Sequence, residues 1–356
     1  MKYILITLIF VSICVSLMVA SQDMYSQDSD KPKLLSVSKI WDQAHHSAFT
    51  DLIEYQGSLF CCFREGDKHV DGATGSIRIL KSENGSTWDS VAVLSKKGFD
   101  LRDPHFSITP DDLLMLSLDG SVYGDKKNPF IGFNSMVSFS ADGITWSDII
   151  DLQMTGEWIW RVSWLQEIGY GVSYRLTDPS DIEKPWIATL YETADGISYL
   201  PVTNIEVGDH PSETTLRFLS DGTMVAMARQ WGNGWIGTAS PPYTTWKWTE
   251  TGTRFGGPNF IILPNGEMWG ASRLSEKKGK KVNTYTAVGR MTTTSYSPEL
   301  ILPSGGDTGY PGMVYRDGIL YVSYYSSHED KSSIYIAQIQ LPVMQEQDQE
   351  QDNDRP

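Results

Sequence analysis

Cysteine is nearly absent, with three in 356 residues. Cys14 lies in the amino-terminal apolar run, behind Ile13 rather than a small residue and with apolar residues continuing past it, which argues against a lipid-modified cysteine. Cys61 and Cys62 are neighbours in an expected strand, so they point to opposite faces. No disulfide framework or thiolate metal site can be built from such a set. Basic residues are also scarce: 29 Lys and Arg stand against 44 Asp and Glu, a net charge of −15. That balance excludes broad electrostatic attraction to nucleic acid or to an anionic membrane. Long stretches of helical periodicity are missing too, and no residue pattern demands a metal or other cofactor, so none is expected.

What is present divides the chain. Met1-Lys2, the apolar run from Ile4 to Ala20 and the polar Ser21-Gln22-Asp23 have the three parts of a secretory signal peptide. The expected division is a signal peptide over 1–21, a flexible leader over 22–33, one folded domain over 34–342 and a disordered acidic tail over 343–356, where nothing apolar is available to bury. The mature protein is expected to be exported, periplasmic or secreted, not inserted in a membrane, and monomeric.

The folded domain repeats. Ser82-Glu83-Asn84-Gly85-Ser86-Thr87-Trp88 and Ser140-Ala141-Asp142-Gly143-Ile144-Thr145-Trp146 are the same tight turn ending in the same tryptophan. Their spacing, 58 residues, is one blade-length. Six segments share an apolar strand, a turn and a second apolar strand: Phe49 to Glu65, Arg102 to Asp119, Trp158 to Arg175, Ser212 to Arg229, Gly257 to Arg273 and Tyr310 to Ser327. Turn formers such as Ser220-Asp221-Gly222, Pro264-Asn265-Gly266 and Arg316-Asp317-Gly318 join each pair. A third strand follows every hairpin, and Trp88, Trp146, Tyr199 and Trp246 open a fourth in the first four blades. The sixth blade runs out of chain after its third strand, while Leu34 to Trp41 has no partner at the other end. The pattern predicts an all-β, six-bladed propeller of four-stranded antiparallel blades, its ring closed by pairing these two ends so that neither edge stays open.

In such a ring the inner strands begin, and the second strands end, around one central mouth. The tryptophan turns lie at the periphery, where their Asp or Asn serves the turn itself. The residues expected at the mouth are His46, Arg102, Asp103, His105, Trp160, Arg161, Glu213, Asn259 and Tyr310 from strand starts, and Arg64, Tyr174, Arg175, Arg229, Arg273 and His328 from strand ends. An acidic chain thus gathers its arginines on one face. Guanidinium pairs bidentately with carboxylate, and Trp and Tyr stack on sugar rings, so the expected partner is an acidic oligosaccharide. Some arginines have acidic sequence neighbours, Arg64 beside Glu65 and Arg102 beside Asp103, and pairing between those would merely tie blades together.

These turns, together with Ser212-Glu213-Thr214-Thr215-Leu216, Ser272-Arg273 and Gly309-Tyr310-Pro311-Gly312-Met313, resemble the sialidase superfamily of Asp-box, or BNR, proteins over nearly the whole mature chain. The resemblance implies a tyrosine nucleophile with a glutamate base in Tyr310 and Glu213, two carboxylate-clamping arginines in Arg229 and Arg273, and a general acid at Asp67 or Asp71. The chain also departs from that pattern. The first clamp arginine, expected in a Phe-Arg-Ile-Pro motif, is missing from Phe49-Thr50-Asp51-Leu52; the turns are one residue short; and Asn84 stands where Asp is usual. Arg64 or Arg102 is left to rebuild the anion site.

The histidines point toward a second chemistry. His45, His46, His105 and His328 come from adjacent blades, and imidazole titrates near neutral pH. Proton abstraction beside a uronate carboxylate needs a cation, a base and an acid. The expectation is therefore β-elimination on uronic-acid oligosaccharides, as a lyase or as a dehydratase of a terminal uronate in polysaccharide degradation. His105 or His328 would serve as base and Tyr174 or Tyr310 as acid, with Arg64, Arg175, Arg229 and Arg273 holding the carboxylate. Two alternatives stay open: an exo-glycosidase of sialidase type using Tyr310, Glu213 and Asp71 or Asp103, and a propeller that binds glycans without catalysis.

Overall fold

The computed structural model describes residues 31–70, 75–124, 130–178, 180–279 and 281–342. The expected signal peptide, most of the leader, the acidic tail and Asp71 lie outside these residues. Among those described, every regular element is a strand, and the strands form six four-stranded antiparallel sheets, one per expected blade. The innermost strands are His46–Tyr55, Asp100–Ile108, Trp158–Leu165, Thr214–Phe218, Asn259–Ile262 and Thr308–Arg316. In the first, second and sixth blades their side chains are buried along nearly the whole length, because the two faces of the strand pack on the two neighbouring blades.

The ring closes as the sequence predicts. Lys33–Trp41 is the outermost strand of the sixth blade and runs antiparallel to Ser333–Gln340, from Lys33 opposite Gln340 to Trp41 opposite Ile334. A parallel bridge from His46 to Ser332 adds to this seam, with the Ser47 amide donating to the Ser332 carbonyl at 3.1 Å. The fifth blade also has a fourth strand, Tyr296–Ile301, which the aromatic-after-Gly pattern missed. Its turn uses Thr292 instead, whose Oγ1 accepts the amides of Thr294 and Ser295 at 3.2 and 3.0 Å.

The recurring outer turn has one construction in three blades. Asp142 Oδ1 accepts the amides of Ile144 and Thr145 at 2.8 and 2.7 Å while Ser140 Oγ accepts that of Gly143 at 2.8 Å. Asn84 with Ser82, and Asp195 with Thr193, repeat the arrangement. Gly85, Gly143 and Gly196 all sit at φ 72°. Each glycine presses on the preceding blade: a β-carbon on Gly143 would fall 2.4 Å from the Phe60 ring, on Gly196 2.9 Å from Met115 sulfur, and on Gly85 2.5 Å from the Tyr321 ring. The turns are therefore clips between blades.

Separating the clip from mere backbone strain needs a glycine that shares only the second. Gly98 has φ 90° with nothing within 4 Å of a built β-carbon. Gly98→Ala should cost about 1–2 kcal/mol through the left-handed backbone alone. Gly143→Ala should cost that plus the displacement of buried Phe60, about 1–3 kcal/mol more, read as a clearly lower Tm in thermal unfolding. Equal Tm values for the two variants would contradict the clip.

Candidate active site

Four of the six innermost strands carry the same irregularity near the axis. Two residues stand opposite one on the neighbouring strand at Phe49-Thr50, Asp103-Pro104, Trp160-Arg161 and Tyr310-Pro311. Phe49, Asp103 and Tyr310 have φ of 60°, 44° and 52°, a region that non-glycine residues enter at a cost. The bulge re-aims the side chain of its first residue toward the axis. Gly257, φ 58°, lies beside Tyr310 in the fifth blade, and a β-carbon there would come within 2.6 Å of the Tyr310 ring. Glycine at 257 thus makes room for the tyrosine.

Tyr310 Oη donates to Glu213 Oε1 at 2.6 Å. Arg229 Nη1 donates to the same carboxylate oxygen and stands 3.3 Å from Tyr310 Oη, while the Gly257 amide holds Glu213 Oε2 at 2.7 Å. Burial raises the Glu213 pKa, but the charge and hydrogen bond of Arg229 and the hydrogen bond of Tyr310 outweigh it, so the carboxylate stays below its ordinary range. Burial and then the Glu213 charge push the Tyr310 phenol well above its ordinary value. The pair is a neutral phenol on an ionised base. Asp103 is the opposite case: burial first, then repulsion from Glu213, raise its pKa to about 7 against the pull of Arg102, Arg229 and Arg64. Two carboxyl groups of one mouth are thus driven apart in pKa, the condition for one to act as base and the other as acid.

The expected arginines take different roles. Arg64 is fully buried and gives Nε and Nη2 to Asp100 Oδ1 at 2.9 and 2.7 Å; Arg102 gives Nε and Nη2 to Asp100 Oδ2 at 3.0 and 2.9 Å. Both therefore share the single carboxylate of Asp100, not those of the neighbours Glu65 and Asp103, and the three groups together keep one net positive charge. Arg175 pairs with Glu157 at 3.1 Å. Arg273 lies with its guanidinium 5.7 Å from the Tyr310 ring centroid and donates to the Thr308 carbonyl at 3.4 Å. The sequence reading missed Arg254, an exposed side chain with no hydrogen-bond or ion-pair partner among the described residues. Burial and then the charges of Arg229 and Arg273 lower its pKa, and with Arg273, Phe255, Ser275 and Thr284 it lines a cavity of about 210 Å³. Its position in the irregular segment between Lys247–Glu250 and Asn259–Ile262, at neither the start of an innermost strand nor the end of a second strand, gave no sequence signal.

Other expected mouth residues are engaged by neighbours of their own. His105 is 1 % exposed, its ring 4.3 Å from that of Trp160, whose other neighbour is Tyr310 at 5.8 Å. Burial and the charges of Arg161 and Arg217 hold it neutral. Arg161, Trp160 and Asn259 belong to the same buried plug: Arg161 pairs with Asp51 at 2.6 Å, and Asn259 Nδ2 donates to the Pro311 carbonyl at 3.0 Å. His328 is tied to Ser326 Oγ at 2.8 Å and packs on Tyr335, and His46 contacts Asp307 at 3.0 Å. Neither is a neighbour of the Tyr310 and Glu213 pair. Tyr174 stacks between Trp158 and Trp186, and Trp186 continues to Trp231 and His210, an aromatic wall leading away from the axis. Of the acids implied by resemblance, Asp67 is exposed and Asp71 lies outside the described residues; Asp103 is a described carboxyl whose pKa the charge of Glu213 raises.

No protein-family model matches the chain, and no curated protein matches it. Solved structures do. A Dyadobacter fermentans protein of unknown function is similar at a TM-score of 0.73 and 16 % identity, covering 87 % of this chain and 99 % of its own. The α-L-arabinofuranosidase of Fusarium graminearum follows at 0.63 and 13 %, covering 86 % and 98 %. The sialidase of Trypanosoma rangeli is similar at 0.62 and 10 %, covering 86 % of this chain and 58 % of the sialidase, so this chain spans little more than half the length of that enzyme. The chain shares the six-bladed propeller fold of these glycosidases while its sequence is divergent from theirs.

Proposed function

We propose that the mouth is the active site of an exo-acting glycoside hydrolase for a terminal sugar bearing a carboxylate. The observation that carries this reading is the 2.6 Å hydrogen bond from Tyr310 to ionised Glu213, with Arg229 on the same oxygen. Glu213 takes the phenolic proton as Tyr310 attacks the anomeric carbon; Asp103 gives its proton to the leaving oxygen, then as a carboxylate activates the water that releases the sugar. Two displacements at one carbon retain its configuration. Arg254 and Arg273, which have no carboxylate partner of their own, hold the substrate carboxylate, and the aromatic wall from Tyr174 to Trp231 stacks the rest of the glycan. The folds shared with glycosidases support a hydrolase. Elimination is less well supported, because its expected bases are withdrawn: His105 is buried beneath Trp160, and His328 is bound to Ser326 at the rim. With the export implied by the amino terminus, the reading is breakdown of acidic glycans outside the cytoplasm.

Acidic oligosaccharides from sialic and uronic acid series should release a saturated acidic monosaccharide of retained configuration, followed by proton NMR. A new ultraviolet-absorbing double bond, or binding with no product, would overturn the reading. Tyr310→Phe and Glu213→Gln should each abolish turnover while leaving ligand binding measurable. Asp103→Asn should lower kcat/KM, which reports the first displacement, by roughly 10²–10⁴-fold on a natural glycoside, and far less on an aryl glycoside whose leaving group needs no proton. For the same reason wild-type kcat/KM on the natural substrate should fall as pH rises through about 7, where Asp103 loses its proton, and this alkaline limb should vanish with the aryl glycoside. Arg254→Ala should raise KM for the acidic substrate roughly tenfold, as expected for about 1.5 kcal/mol of charged hydrogen bonding, and leave KM for its carboxamide analogue unchanged.

A further inference from the structure

At the seam between the first and sixth blades, beside the mouth, three side chains converge on one point. His46 opens the innermost strand of the first blade, His69 follows that blade's second strand, and Asp307 directly precedes the innermost strand of the sixth. His46 Nε2 and His69 Nδ1 both contact Asp307 Oδ2, at 3.0 and 2.7 Å. The other carboxylate oxygen, Oδ1, accepts the Tyr325 hydroxyl at 2.8 Å. We propose that His46, His69 and Asp307 bind a divalent transition-metal ion of the zinc class.

The donor set is right for such an ion. Two imidazole nitrogens and one carboxylate oxygen leave a fourth position open, as in zinc sites that accept an exogenous oxygen ligand. The three donor atoms lie within 4.8 Å of one another. Around a tetrahedral ion with bonds of about 2.1 Å they would stand about 3.4 Å apart, so the present spacing needs only side-chain adjustment. Tyr325 fixes the carboxylate from behind in the manner of an outer-sphere partner. Access is open, with the His69 and Asp307 side chains 41 % and 30 % exposed.

The site adjoins the mouth through Phe49, whose ring is 5.0 Å from His69 on one side and 5.0 Å from Tyr310 on the other. An ion there would present a positive, oxygen-seeking centre to an anionic glycan already held by arginine. This inference does not depend on hydrolysis and is tested without a substrate.

Tag-free, chelator-treated protein titrated with zinc chloride in a calorimeter should bind one ion per chain. His69→Ala and Asp307→Asn should each weaken binding roughly a hundredfold or more, and Tyr325→Phe about tenfold, the range for an outer-sphere partner. His45→Ala, a neighbouring histidine outside the cluster, should bind as the wild type does. Near-UV circular dichroism of the metal-free variants checks their folding, and His69→Gln serves if His69→Ala is unstable. Absence of stoichiometric binding to the wild type, or binding that persists in His69→Ala and Asp307→Asn, would overturn the proposal and leave the cluster as a hydrogen-bonded tie between blades.

Discussion

The two-residue bulge of the innermost strands is the constraint on which the rest of the mouth depends. A regular strand would alternate its side chains between the two neighbouring blades and send none along the axis. By letting two residues face one, the chain frees Phe49, Asp103, Trp160 and Tyr310 to point inward. The bulge of the sixth blade is anchored from three other blades. Thr50 Oγ1 donates to the Tyr310 carbonyl at 2.7 Å, and Arg161 and Asn259 both reach the Pro311 carbonyl. The unfavourable φ of Tyr310 is thus held by contacts from the first, third and fifth blades, which keeps the phenol in place without help from a ligand.

Much of the scaffold was legible because its devices are local. A Gly at φ 72° behind an Asp or Asn is a short-range requirement, so the clips at 82–88 and 140–146 announced themselves, and hydrophobic alternation gave the strands between them. The turn at Thr292 escaped because a threonine hydroxyl satisfies the same amides without glycine. Sites are less legible, since depth along the axis is not written in a strand. Strand-start counting placed His105 and Asp103 alike at the mouth; the bulge between them separates the two, leaving Asp103 beside Glu213 and sending His105 under Trp160. Pairing partners were equally hidden. Asp100 pairs with Arg64 and Arg102 together because it begins the next innermost strand, where both guanidinium groups can reach it.

An acidic protein need not present an acidic mouth. Arg64, Arg102, Arg161 and Arg175 are spent on Asp100, Asp51 and Glu157, and these pairs buttress the walls. Among the described residues, positive charge without a carboxylate partner survives at Arg254 and Arg273, on the side of Tyr310 facing the fifth blade. On the other side stand Asp103, with its raised pKa, and the aromatic wall. The polarity of the mouth therefore runs across it.

The closing blade is woven from both ends of the folded chain, and that fixes an order of events. During synthesis Lys33–Trp41 emerges first and then waits for Ser333–Gln340, its only strand partner, through the making of five whole blades. Five blades can fold from local hairpins as they appear, but the sixth must also close the longest loop in the molecule. Tyr310 sits on that blade, and its carbonyl is gripped by Thr50 from the first. The phenol consequently reaches Glu213 only when the ring is complete, so an unfinished or opened ring has no assembled pair of phenol and carboxylate.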